Sequence, residues 1–268
     1  MTMKSKLIGT LAAAMVFATA AWLVLDRGVS PSGGHGWSVD RWIARNAEAR
    51  GGADTWRAVS SLQMSGQMDI GQGMLVPYTL EQKRPGKMCL EFEFDEKLAT
   101  QCVTGDGGWR LLPYRGRTVP ELMPADELQH MSETASIDGL LLDSARRGFD
   151  VELLGREMLD GVDTVKLEVT LPSGAKRWVY LDAETALEVR VDATRMLAGK
   201  PRLVQTYYSD WQQTDGLLIA RRQLTQTEGM EGSHFLTVED VVVNPPIADE
   251  RFQIPLADAG NGPGGNAS

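Results

Sequence analysis

Histidine and cysteine are scarce in this chain, three and two among 268 residues. Two cysteines exclude a disulfide-dense scaffold. His35, His130 and His234 stand in no H-E-x-x-H or other metal-ligand spacing, so no metal and no cofactor is expected. Basic residues are in the minority, 27 Lys and Arg against 36 Asp and Glu, for a formal charge of −9. The phosphate-neutralising charge that dominates nucleic-acid binding is missing, and nucleic acid is not an expected partner. There is no G-x-S-x-G elbow, no P-loop and no G-x-G-x-x-G; Gly105-Asp106-Gly107-Gly108 reads as a hairpin turn instead. Carboxylates such as Glu91 and Glu93 alternate with apolar residues, as on the wet face of a strand. No catalytic residue is assigned, and the chain is read as non-enzymatic.

Only one long apolar run is present. Residues 7–25 are nineteen consecutive uncharged residues, preceded by Lys4 and Lys6 and followed by Asp26 and Arg27. As a helix they span roughly 28 Å, close to the hydrocarbon thickness of a bilayer. A shorter apolar stretch ending at Ala18-Thr19-Ala20 also has the form of a secretory signal with its cleavage site. Residues 1–27 are therefore an export signal or an N-terminal membrane anchor, and either sends the rest of the chain across the membrane. Residues 28–37 are a Gly- and Ser-rich linker, and residues 257–268 a Gly- and Asn-rich tail. The folded domain is residues 38–256.

Ser38 caps a predicted helix ending at Gly51-Gly52, and a second short helix covers residues 53–59. From Ser60 the apolar period changes from helical to two. Leu90, Phe92 and Phe94 alternate with Glu91 and Glu93; Val165, Leu167 and Val169 with Lys166 and Glu168; Leu187 and Val189 with Glu188 and Arg190. Turn signals at short intervals join about 11 to 12 strands, so the fold class is mainly β (α+β), built on one large antiparallel sheet. Residues 120–148 interrupt it with helical spacing, carrying Leu128, Met131, Ile137, Leu140 and Leu141. One such segment cannot cover so wide a sheet, so the sheet is expected to curl around either an apolar cavity or an ordinary packed core. If Asp95-Glu96 is a two-residue loop, Cys89 lies opposite Cys102 and a cross-strand disulfide is possible; a loop longer by one residue leaves two free thiols on opposite faces. Trp109, Trp178 and Trp211 fall on strands while the other tryptophans fall elsewhere, which predicts no aromatic ligand cage.

The order of these elements resembles that of the LolA-like outer-membrane lipoprotein-sorting proteins. The resemblance is carried by Ala47-Glu48-Ala49-Arg50-Gly51-Gly52 with Trp56, then Leu62-x-Met64-x-Gly66, Tyr180-Leu181-Asp182-Ala183-Glu184-Thr185, Tyr207-Tyr208-Ser209-Asp210-Trp211, and Asp249 through Pro255. It implies a curved antiparallel unclosed β-barrel with an N-terminal helix and a helical lid, holding lipid or lipoprotein acyl chains in the periplasm. The cavity candidates are then Leu90, Phe92, Phe94, Val165, Leu167, Val169, Leu187 and Val189, under lid candidates Leu128, Met131, Ile137, Leu140 and Leu141. The membrane, through residues 7–25, and acyl chains are the expected partners of a monomer. A membrane-tethered sensory or regulatory domain docking an envelope protein is the alternative, and an envelope hydrolase the second alternative.

Overall fold

The structure is a computed structural model that describes residues 37–255 apart from 72, 106 and 198. The export or anchor segment, all of the linker but Trp37, and the tail lie outside the described residues. Among the described residues no helix is long and apolar enough to cross a membrane.

Two helices come first, α1 (Val39–Ala49) and α2 (Ala53–Arg57). The Ser38 side chain accepts from the Arg41 amide, which meets one of the orphan donors at the start of α1. Gly51 ends the helix with φ +106°, and a Cβ there would lie 2.0 Å from the Gly216 carbonyl oxygen. That close approach lets the Leu218 amide donate to the Arg50 carbonyl at 2.9 Å, fastening the helix end to the sheet.

Thirteen strands follow: β1 (Ser61–Asp69), β2 (Leu75–Lys83), β3 (Lys87–Phe94), β4 (Lys97–Thr104), β5 (Gly107–Leu112), β6 (Arg117–Leu122), β7 (Asp150–Leu159), β8 (Val162–Thr170), β9 (Lys176–Asp182), β10 (Glu188–Leu197), β11 (Lys200–Thr214), β12 (Leu217–Thr227) and β13 (Ser233–Val243). They form one sheet in the order β6-β5-β4-β3-β2-β1-β13-β12-β11-β10-β9-β8-β7, every described pair antiparallel. Pairing of β1 with β13 joins a six-strand arm to a seven-strand arm. The two edges, β6 and β7, do not pair, so the barrel is unclosed.

The count exceeds the expected 11 to 12 because β6 occupies ground read from the sequence as helix. Residues 117–122 form an edge strand, where Pro120 lacks only an amide that an edge can spare. The lid is correspondingly shorter: α3 (Ala125–Thr134), then turns and a 3-10 helix at Ala145–Arg147. This segment runs between the two unpaired edges, and α3 lies over β3 and β4.

Asp95 and Glu96 form the two-residue β3–β4 turn, both with positive φ, and Cys89 faces Cys102. The two are disulfide-bonded. They lie on the convex side with Trp109 and Phe252, all deeply buried. A short 3-10 strap, Asp249–Phe252, covers them: Trp109 Nε1 donates to the Phe252 carbonyl at 2.9 Å, and Arg251 pairs with Glu81 and Glu91 at 2.6 and 2.8 Å. Lys83 and Lys87 hold Asp249 low, at about 2, through hydrogen bonds to its carboxylate.

Phe252 has no exposed surface, and removing its ring leaves a cavity against the disulfide. Phe252→Ala is expected to lower stability by about 3 kcal/mol and the melting temperature by roughly 6–12 °C, read by thermal unfolding.

Candidate functional site

Register decides which side chains face the lid. Leu62 opposes Gln82, Leu80 opposes Leu90, and Leu90 opposes Gln101, so these side chains share the concave face of the first arm. Val165 opposes Leu181 and Leu167 opposes Val179, and these line the same side of the second arm. The alternation expected along β10 is broken. A bulge between Glu188 and Arg190 places Glu188 opposite Leu181 and Val191 opposite Val179, while Arg190 opposes Tyr180. An extra residue in one strand reverses the facing of everything beyond it. Glu188 and Val191 thus both belong to the concave face, so the strict alternation that grouped Leu187 and Val189 with Val191 does not hold across the bulge.

Beneath the lid the concave face leaves a cavity of about 200 Å³. Its walls come from both arms and from the helices: Leu62, Met64 and Gln82 on one side; Val179, Glu188, Val191, Tyr208, Trp211, Ile219, Ala220 and Gln223 on the other; Arg50 and Trp56 at the end of α1 and on α2; Ile137, Gly139, Leu140 and Leu141 as the roof. The cavity thus lies across the β1–β13 junction, where the two arms meet.

Three of the lid candidates, Ile137, Leu140 and Leu141, line the cavity. Leu128 and Met131 instead pack α3 onto Met88, Leu90 and Val103. Phe92 and Phe94 sit farther along the face with Val76, Tyr78 and Tyr114, and Val165, Leu167 and Val169 pack beneath Trp42 of α1. Leu187 and Val189 are half-buried beside the bulge. Most of the apolar concave face is therefore filled by its own side chains; besides the cavity under Ile137, Leu140 and Leu141, a larger and more polar opening of about 650 Å³ lies between α3 and the two arms at Arg110, Arg177 and Arg195. Trp56 and Trp211 do line the cavity under the lid, which the distribution of tryptophans along the chain did not indicate. Arg50, Glu188 and Tyr208 were also missed as wall residues. Arg50 stood in the quoted helix-end phrase, but Glu188 carried no signal because its facing depends on the bulge.

Polar contacts fasten the lid to both arms. Gln82 donates to the Thr134 carbonyl at 2.7 Å, Gln101 donates to Glu127 at 2.7 Å, and Arg110 pairs with Glu127. From the other arm, Arg177 Nε donates to Glu133 at 3.1 Å, with Arg195 at 3.6 Å from the same carboxylate. Beyond α3, Asp138 pairs with Arg84 at 2.6 Å and Asp143 with Arg57 at 2.7 and 2.9 Å. The hydrogen bond from Arg57 holds Asp143 below the usual carboxylate range. The Arg177 side chain is only 4% exposed, so its charge relies on Glu133. Of the cavity groups, Tyr208 is pushed up to about 12 by burial and presents a neutral hydroxyl.

At the level of sequence, no family model and no curated protein matches this chain. Solved structures do match. A LolA superfamily protein from Nitrosomonas europaea superposes with a TM-score of 0.56 at 14% identity, over 81% of this chain and 98% of that one. The fold is LolA-like. A DUF1329 family protein from Desulfovibrio piger gives a TM-score of 0.56 at 16% identity, over 81% and 97% of the two chains. A domain assigned to an outer membrane lipoprotein-sorting protein from Vibrio parahaemolyticus gives 0.50 at 15%, over 78% and 97%. The overall fold is what these chains share with this one.

Glu133→Gln removes the charge that Arg177 relies on while keeping the shape, and is expected to cost roughly 3 kcal/mol in urea unfolding. Amide exchange across residues 125–134 is expected to quicken as well. Asp143 titrates below its unfolded value of about 4, so its pairing with Arg57 stabilises the fold fully above that pH and is lost as pH falls below it. Protection of the amides in residues 138–147, taken relative to intrinsic exchange at each pH, is accordingly expected to fall on acidification from pH 5 to pH 3, and to fall less in Asp143→Asn.

Proposed function

We propose that this chain is an exported, periplasmic lipid carrier that holds an acyl chain beneath its lid without transforming it. The observation that carries the reading is the cavity: mostly apolar walls, a roof of Ile137, Leu140 and Leu141, and a position spanning both arms of the sheet. Concave, mainly apolar sites with a few placed polar groups are the usual form of small-molecule sites. The disulfide and the sequence of residues 1–27 support an oxidising compartment across the membrane.

Cavity size sets the limits of the reading. A space near 150 Å³ accommodates a benzene-sized guest, so about 200 Å³ takes a polar head or a short stretch of chain. A full acyl chain then requires the lid segment to shift, and the partly exposed Arg57–Asp143 pair is a fastening that can be exchanged for water at moderate cost, whereas the buried Arg177–Glu133 pair has to stay made. A role in lipoprotein sorting, which the Vibrio domain's assignment names for that protein, is the specific form of carrier that the fold suggests here.

Val191→Phe fills the cavity from β10 and costs about 1–3 kcal/mol by overpacking. It is expected to reduce uptake of a fluorescent fatty acid at least tenfold while leaving a folded protein by circular dichroism. Native mass spectrometry of the wild-type protein from envelope fractions is expected to show a bound lipid. A protein that is always empty and takes up no fatty acid would contradict the carrier reading.

A further inference from the structure

Two charged side chains face the cavity with hydrogen-bonding capacity left unused. Arg50 and Glu188 approach at a single contact of 3.5 Å, Nη1 to Oε1, with their side chains 14% and 13% exposed. Arg50 Nε and Glu188 Oε2 are both buried and have no hydrogen-bond partner among the described residues. Burying two charges is offset only when the pair is well made and its remaining donors and acceptors are satisfied. Here one long contact serves both, although buried polar groups in native proteins are nearly always paired.

Neither side chain is free to leave. The Arg50 carbonyl is pinned by Trp56 Nε1 at 2.8 Å and by the Leu218 amide at 2.9 Å, and its guanidinium stacks on the Trp56 ring at 4.3 Å from the centroid. Glu188 is turned inward by the β10 bulge. The unused donor and acceptor are thus held in place beside an apolar space, in the company of the neutral Tyr208 hydroxyl and the Gln223 amide.

We infer that the Arg50–Glu188 end of the cavity recognises an uncharged lipid head group that both accepts and donates hydrogen bonds, as the ester carbonyl and hydroxyls of an acylglycerol do. The inference rests on the carrier reading and adds the class of head group to it. Arg50 Nε and Glu188 Oε2 are closed to solvent while the pair is in contact; as the head group parts the 3.5 Å contact, its acceptor oxygen takes the Arg50 donor and its hydroxyl donates to the Glu188 oxygen. A bare alkyl chain leaves both groups unsatisfied. A free carboxylate satisfies Arg50 but lies against the like charge of Glu188 and offers it no proton.

The test compares three probes of equal chain length, monooctanoylglycerol, octanoate and octane, on the full chain by isothermal titration and by quenching of tryptophan fluorescence. Monooctanoylglycerol is expected to bind at least tenfold tighter than either of the others. In the double variant Arg50→Met, Glu188→Leu, which keeps the apolar bulk of both stems, this preference is expected to vanish while octane binding persists or improves. Glu188→Gln provides a gentler second variant and is expected to narrow the preference over octanoate by removing the like charge. Equal binding of the three probes, tightest binding of octanoate, or an unchanged preference in the double variant would overturn the head-group assignment and leave the carrier reading standing. Failure of every probe to bind would overturn both.

Discussion

Pairing of β1 with β13 is the constraint on which the rest of the molecule depends. Every other strand pair joins neighbours in sequence through a short turn, and such hairpins form locally. Among the strand pairs of the described residues, β1–β13 alone joins residues some 170 to 180 positions apart, Leu62 against Val243 and Met68 against Leu236. The ladder pays a large closure entropy for this, and it accommodates a bulge between Ser65 and Gly66, where a Cβ on Gly66 would lie 2.0 Å from the Thr237 carbonyl oxygen. Without this ladder there are two separate meanders, neither with a concave face wide enough to enclose a ligand.

Placing the earliest and latest strands at the centre has a second consequence. Strands β6 and β7, adjacent in sequence, become the two outer edges, and the 27 or so residues between them must cross the gap. That crossing segment roofs the concave face, while the edge strands themselves stay largely exposed, at Val119 and Leu122 of β6 and at Leu154 and Met158 of β7. The roof rests on apolar contact at Met131, Ile137 and Leu141, and on ion pairs at Glu127, Glu133, Asp138 and Asp143. These carboxylates belong to the lid, and the arginines facing them from outside it belong to the sheet, to its β2–β3 turn and to α2. A chain with a strong acidic excess therefore spends several of its arginines on holding one segment in place.

The cavity lies where these two constraints meet, under the lid and across the junction of the arms. Its polar corner comes from three unrelated places in the chain: the C-terminal end of α1, the first residue of β10, and the middle of β11. The stacking of Arg50 on Trp56 and the glycine contact between Gly51 and Gly216 fix the helix end against the sheet, so a feature of backbone packing determines where a charge sits.

By itself the sequence determined whatever depends on local pattern. The alternation of Leu90, Phe92 and Phe94 identified a half-buried strand, the Asp95-Glu96 turn set the register that brings Cys89 opposite Cys102, and Ser38 with Gly51 marked the bounds of α1, because each rests on neighbours a few positions apart. The order of phrases from Ala47 to Pro255 pointed to the LolA-like fold. Tertiary structure alone decided that residues 120–122 belong to an edge strand and not to the helical segment, since Pro120 is tolerated only where no partner lies on that side. It alone turned Glu188 inward, because a bulge defers to the packing of both neighbouring strands. And it alone divided the concave face into filled core and open cavity, since that division depends on how side chains from distant strands meet, and spacing along one strand carries no information about the residue across the fold.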